Sequence, residues 1–379
     1  MVTLTEFVSI LLLVPATLCY GEFMPSRTTA SRWTGDIVLC YMDARSTGAF
    51  GPAAQNMFDW NSTRFARLLA YFDKPADAGG GHPTDTLFDS FLFTGYKWYG
   101  KKQFWPGTGP PMNKTDWQDF SDMAVILGAE NLEIAAKNVS AQLPFPPSTD
   151  SCSSGVRPSV IVAVPYPDVR QQDFGSIDGS GRSLNFSLPE DRLAAVTWFV
   201  RRTHGAFGSK QFQNVQLKGF YWFYEEVPTH DETLLPSLSQ YISSLSPSLM
   251  LIWIPYYRPG DPHTGRWKEL GFDFATLQPN YAFNNVSADK RFSAIKDLTK
   301  NFSLGIEMEL PNSIRNPQAG GWENSFWTYL ERVRDWERES GTHIMKTYYY
   351  GNVFVNYYAQ NTSYFAFYTK LFNYIKGIA

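Results

Sequence analysis

The chain has 379 residues, enough to bury a large core in one barrel-sized domain or in two or three smaller ones. With 33 Lys and Arg against 36 Asp and Glu, its formal net charge of −3 excludes the basic footprint of a nucleic-acid binder. It is only 18% charged yet 16% aromatic, which suits a protein that handles neutral, faceted ligands such as sugars and equally suits bulky core packing.

The first feature in the chain is the apolar run at 7–14 (FVSILLLV), followed by Pro15 and small or polar residues through Gly21. It reads as a signal peptide over 1–21, too short to span a bilayer, with cleavage after Cys19 or Gly21. No later segment carries 18 uninterrupted apolar residues, so no integral membrane segment is expected after cleavage and the protein is expected to be secreted. Seven Asn-X-Ser/Thr sequons, at Asn61, Asn113, Asn138, Asn185, Asn285, Asn301 and Asn361, agree with a secretory route and are candidate glycosylation sites at loops or element ends. Cys19 leaves with the leader; Cys40, in an apolar strand, and Cys152, in a polar loop, are either a disulfide or two separate thiols.

From residue 33 to 379, β-rich runs alternate with helical patterns in eight units. The strand-like runs are 36–43, 85–93, 159–166, 215–224, 249–257, 274–281, 303–310 and 343–350. Helical stretches fall at 62–72, 116–142, 189–204, 231–245, 289–300, 322–340 and 363–376, with a short one near 266–270. Ser187 is the expected N-cap before Pro189, and Gly341 the expected C′ residue after 322–340. The charges of that last helix (Glu331, Arg332, Arg334, Asp335, Glu337, Arg338, Glu339) read as a solvated face.

Eight such units with buried apolar strands predict the α/β class, a (β/α)8 TIM barrel forming a single domain. Long loops at 44–60, 94–115 and 167–186 would then lie on the C-terminal face, where barrel sites are built. An open α/β sheet fits less well, because no G-x-G-x-x-G follows the first strand. The five histidines are scattered without ligand spacing and there is no HExxH, so neither a metal nor a cofactor is expected.

The chemistry concentrates at two strand ends. GFYWFYEEV closes the fourth run with Glu225 and Glu226, and GIEMELP closes the seventh with Glu307 and Glu309. Alternation turns Glu307 and Glu309 the same way, inward toward the mouth of an otherwise apolar barrel. Burying an unpaired carboxylate is costly, and glycoside hydrolysis needs such a pair: one carboxyl protonates the leaving oxygen while the other attacks or activates water. Pairing with Arg, Lys or tyrosine hydroxyls is the structural alternative for any one of them. Further candidates for reading a sugar sit at strand ends: Asp43, Tyr166, Trp222, Trp253, Tyr256, Tyr257, Gln278, Asn280, Tyr281 and Tyr348. Of these, Gln278 and Asn280 stand out because amides are poor fillers at a strand end.

Taken in order, GFYWFYEE, WIPYYRPG, LQPNYAF and GIEMEL resemble a secreted family catalogued as a domain of unknown function, whose members are read as glycosidase-like (β/α)8 barrels. The resemblance covers roughly residues 36–375, and its GFYW-x-x-E motif falls on Glu225. More distantly, retaining glycosidases of barrel fold keep the acid/base after the fourth strand and the nucleophile after the seventh. That similarity implies Glu225 as acid/base and Glu309 as nucleophile, with Glu307 one layer deeper. Many of those enzymes carry Asn before the acid/base, where this chain has Tyr224. The resemblance thus implies a secreted glycoside hydrolase acting on a poly- or oligosaccharide; the alternative is a non-catalytic, lectin-like barrel that only binds carbohydrate.

Overall fold

The computed structural model describes residues 36–42, 60–95, 102–143, 156–246, 249–310, 317–349 and 351–378. The leader-like segment, Asp43 and Cys152 lie outside the described residues.

Among the described residues ten strands run in chain order: β1 (Ile37–Tyr41), β2 (Ala70–Phe72), β3 (Pro83–Thr86), β4 (Ser90–Thr94), β5 (Ser159–Val164), β6 (Gln216–Trp222), β7 (Met250–Trp253), β8 (Phe274–Leu277), β9 (Gly305–Glu309) and β10 (Lys346–Tyr349). Eight of them close a parallel barrel in the order β1-β10-β9-β8-β7-β6-β5-β4, the TIM-barrel arrangement. Around it run α1 (Ser62–Leu69), α2 (Lys114–Met123), α3 (Glu130–Ser140), α4 (Pro189–Lys210), α5 (Leu234–Leu245), α6 (Ala288–Phe302), α7 (Trp322–Ser340), α8 (Gly351–Gln360) and α9 (Phe365–Ile375).

Local chemistry accounts for most element ends. The Asn61 side chain accepts from the Arg64 amide to start α1, and Asn113 with Asp116 forms a reciprocal capping box on α2. Gly341 ends α7 at φ +63°, its amide bonding the Glu337 carbonyl as expected of a C′ glycine. Pro189 does open α4, but the N-cap is Leu188, without a side-chain bond; the Ser187 amide instead closes a turn onto Asn185 Oδ1 at 3.0 Å. The run 116–142 is one continuous rod in which a π-helical turn, Ala124–Ala129, joins α2 to α3. There Gly128 lets the helix approach the sheet, since a Cβ at this position would lie 2.5 Å from the Phe93 ring.

Two expectations fail at the first crossover. The run 85–93 is not one strand: the Leu87 and Phe88 amides bond the Leu69 and Leu68 carbonyls at the end of α1, which breaks it into β3 and β4. Residues 70–72 leave the helix to pair with β3 in a small antiparallel hairpin outside the barrel. The charged helix α7 is only partly a solvated face: Arg332 pairs with Asp289, and the buried Lys346 reaches Glu337 at 2.7 Å.

Most aromatics pack between sheet and helices. Phe65 of α1 lies against Phe91 and Phe93 (5.8 and 5.9 Å between ring centres), so that face of β4 looks outward. The register Phe91–Val38–Tyr348–Met308 carries the outward face around the barrel, and Val164–Trp222–Trp253 continues it on the far side. The alternate set, which includes Tyr41, Thr94, Tyr221, Thr276, Glu307, Glu309 and Tyr349, fills the barrel interior. The Thr276 and Thr347 hydroxyls confirm it by bonding each other at 3.1 Å across Gly305.

Candidate active site

Strand β9 is buried throughout, so its two inward carboxyls, Glu307 and Glu309 (2% and 1% exposed), have almost no contact with water. Burial raises the Glu307 carboxyl well above the usual range, and the like charges of Glu309 and Glu225 push it further. Burial also lifts Glu309, to about 8, against the pull of two donors. One is the Tyr329 hydroxyl of α7, which donates to Oε2; the other is the Asn280 amide, 3.1 Å from Oε1.

Glu225 lies three residues past the end of β6, which is parallel to β9, and is exposed. The protein around it still raises its carboxyl; a hydrogen bond from Gln278 opposes the rise and the Glu226 charge adds to it. The Glu225 charge acts on both β9 glutamates, and its bond from Gln278, two residues before Asn280, sets it at the same end of the barrel. Tyr221, two alternations before Glu225, also lies between them: burial and the charges of Glu225 and Glu307 keep its phenol protonated.

The loop after β8 is shaped for this site. Gln278 is anchored through Nε2 to the Ile254 carbonyl at 2.9 Å and through its backbone to Tyr257 and Pro255. Asn280 adopts φ +56°, a left-handed conformation that Asn tolerates, which turns its amide toward Glu309. Glu226 stands on the rim, paired with Arg258 at 2.8 Å, and Tyr256 lies beside that arginine. Tyr257 lies under Arg291, whose charge reaches Glu309.

Five sequence candidates lie away from the carboxyls. Trp222 and Trp253 are wholly buried on the outward face, Trp253 stacked on Phe272 and bonded to the Tyr224 carbonyl. Tyr348 also points outward, edge-on to Phe88; the inward tyrosine of β10 is Tyr349, half-buried beside Tyr41 and Phe283. Residue type at a strand end does not give the phase of the pleat, and a shift of one residue exchanges the two faces. Tyr281 packs on Tyr329 and Phe292, while Tyr166 is buried with Trp222 and Arg192 and bonds His230 at 3.1 Å. Asp43 lies outside the described residues.

Sequence reasoning passes over Tyr221, Trp105 and Tyr329. Alternation back from Glu225 leads to Phe223 and Tyr221, so that signal was present. Trp105, half-buried in the loop after β4, stacks on Phe223 with ring centres 6.0 Å apart. Tyr329 sits in the middle of α7, where no local pattern marks it. Among the described residues no cluster of His, Cys, Asp and Glu could hold a metal ion, and no helix is long and apolar enough to cross a membrane.

Solved structures share the barrel at low identity. The catalytic domain of a family GH18 chitinase from the fern Peteris ryukyuensis is 11% identical, with a TM-score of 0.44 over 90% of this chain and 99% of its own. A GH10 xylanase of Thermobacillus composti is 9% identical, with a TM-score of 0.37 over 87% of both chains. The xylanase and alpha-amylase inhibitor protein XAIP-II of Scadoxus multiflorus is 12% identical, with a TM-score of 0.40 over 91% and 99%. This likeness concerns fold alone. No functionally curated protein matches the sequence. Residues 47–373, nearly the whole barrel, match the domain of unknown function DUF4855, and the chain belongs to that family.

Proposed function

We propose that this chain is a secreted glycoside hydrolase that cleaves a poly- or oligosaccharide with a pair of glutamates. The observation that carries the reading is the meeting of three carboxyls with raised proton affinity at the C-terminal mouth of one barrel. Glu225 acts as acid/base: it is open to the mouth, can exchange protons with water, and becomes more desolvated as a ligand fills the bowl. Glu309 acts as nucleophile, because its two oxygens are already fixed by donors. Glu307 lies deeper. Gln278, Asn280, Tyr256, Tyr257, Glu226 and Tyr349 form the wall that reads sugar hydroxyls and faces. The reaction is retaining if the Glu225 and Glu309 carboxyls stand ~5–5.5 Å apart, and inverting at ~6.5–9.5 Å. Secretion rests on the leader-like run at 7–14 and on the seven sequons, all of which fall at caps, turns or final helical turns.

The test is a glycan panel with product anomers followed by NMR. Glu225→Gln and Glu309→Gln are each expected to lose at least ~10²-fold in turnover while glycan binding persists. A wild-type protein that binds but cleaves no panel member overturns the hydrolase reading in favour of a carbohydrate-binding barrel.

A further inference from the structure

Tyr329 belongs to the outer helix layer, yet its hydroxyl ends at the catalytic pair, and the side chain is entirely buried. Three consecutive backbone amides converge on this point. Asn280 N–H donates to Glu309 Oε1 at 3.1 Å, while the Tyr281 and Ala282 N–H groups donate to the Tyr329 hydroxyl at 3.0 and 3.1 Å. The left-handed turn at Asn280 aims all three the same way, a nest of amides of the kind that binds anions.

An amide N–H cannot reverse its role. With both lone pairs of the phenol oxygen taken by amides, its single proton is left for Glu309 Oε2. Glu309 therefore accepts on both oxygens, the pattern of an ionised carboxylate. We infer that Tyr329 is a positioning residue that relays the Tyr281 and Ala282 amides to Glu309, making Glu309, and not Glu307, the carboxylate of the buried pair. This deepens the hydrolase reading and rests on it for the word nucleophile. The clamp itself does not depend on that reading.

The other groups acting on Glu309 fit this assignment. Glu225, past β6, opposes its ionisation and Arg291 of α6 favours it, while Glu307 and Tyr349 are its neighbours on β9 and β10. Glu307 has like charges on two sides, and burial drives it further above the ordinary carboxyl range, so it keeps its proton when Glu309 has lost its own.

Tyr329→Phe keeps the ring and removes the relay. Losing a hydrogen bond to a charged acceptor is expected to move the Glu309 ionisation up by about one to two pH units. The acid limb of kcat/KM should shift by the same amount, with activity recovering at higher pH. A purely structural defect would instead lower the rate at every pH. An infrared titration of the carboxylic-acid band reads the same event without turnover. In wild type, the band missing from Glu309→Gln should bleach before the one missing from Glu307→Gln, and in Tyr329→Phe it should bleach later. An unmoved Glu309 band in Tyr329→Phe, or Glu307 bleaching first in wild type, overturns the inference. The wild-type order decides the matter if the Phe variant does not fold. A shifted band in a protein that cleaves no glycan leaves the clamp standing and refutes only the hydrolase.

Discussion

Replacing Glu307 with glutamine removes a carboxyl that the barrel buries beside Glu309 and Glu225, and it separates the requirements of folding from those of the site. In the unfolded chain this group ionises near its ordinary value of 4.5, whereas burial keeps it protonated in the barrel well above that. Between the two values the folded state binds the extra proton, so stability falls as pH rises, by about 1.4 kcal/mol per unit. The penalty therefore begins near 4.5 and grows with pH for as long as the folded carboxyl keeps its proton. Glutamine has the same shape and no such penalty, so Glu307→Gln should be more stable than the wild type at pH 7, by about 1.4 kcal/mol for each pH unit of the rise it removes, less about 1 kcal/mol for an altered hydrogen bond. Below about pH 4.5 both states hold the proton and the gain should vanish. Urea unfolding of both proteins over this pH range measures the difference directly. A difference that stays flat with pH would mean that Glu307 titrates normally, and the account of the buried pair would fail with it.

Two further outcomes test the geometry. Gly219→Ala would place a Cβ 2.4 Å from the Met250 carbonyl oxygen of the adjacent strand, backbone that cannot swing aside, and is expected to cost about 1–3 kcal/mol in thermal unfolding. An unchanged midpoint contradicts the β6–β7 register. Tyr349→Ala should weaken glycan binding in calorimetry by roughly 1–2 kcal/mol as an aromatic wall is lost, while Tyr348→Phe, on the outward face, should leave it intact; equal effects would refute the assignment of faces.

Much of this was legible in the chain because the barrel writes its period into sequence. GIEMEL places acids at every second position among apolar residues, and only an inward row on a buried strand accounts for that pattern. Gly341 and Pro189 mark helix boundaries by backbone geometry alone. The failures share a cause. Tyr348, Trp222 and Trp253 stand out by residue type at a strand end, yet their direction depends on a pleat whose phase the neighbouring strands set. Nothing in the sequence marks helix α8, because Val353, Phe354, Val355, Tyr357 and Tyr358 are residue types that favour strands; of these, Val355 and Tyr358 are buried in the helix. Tyr329 is hidden for a deeper reason: it is 20 residues from Glu309, and only the closed fold joins them.

Helix α7 links two ends of the molecule that the sequence keeps apart. Eight residues beyond Tyr329, about 12 Å along the rod, Glu337 holds Lys346 at the start of β10, and there His343 and Lys346 outweigh burial to keep its carboxyl near 2. One stiff helix thus touches Glu309 from its middle and an acid-resistant ion pair near its C-terminal end. Held so low, that pair survives mild acid and opens only as the pH falls toward 2, so the seat of α7 beneath β10 outlasts ion pairs whose carboxyls titrate at ordinary values.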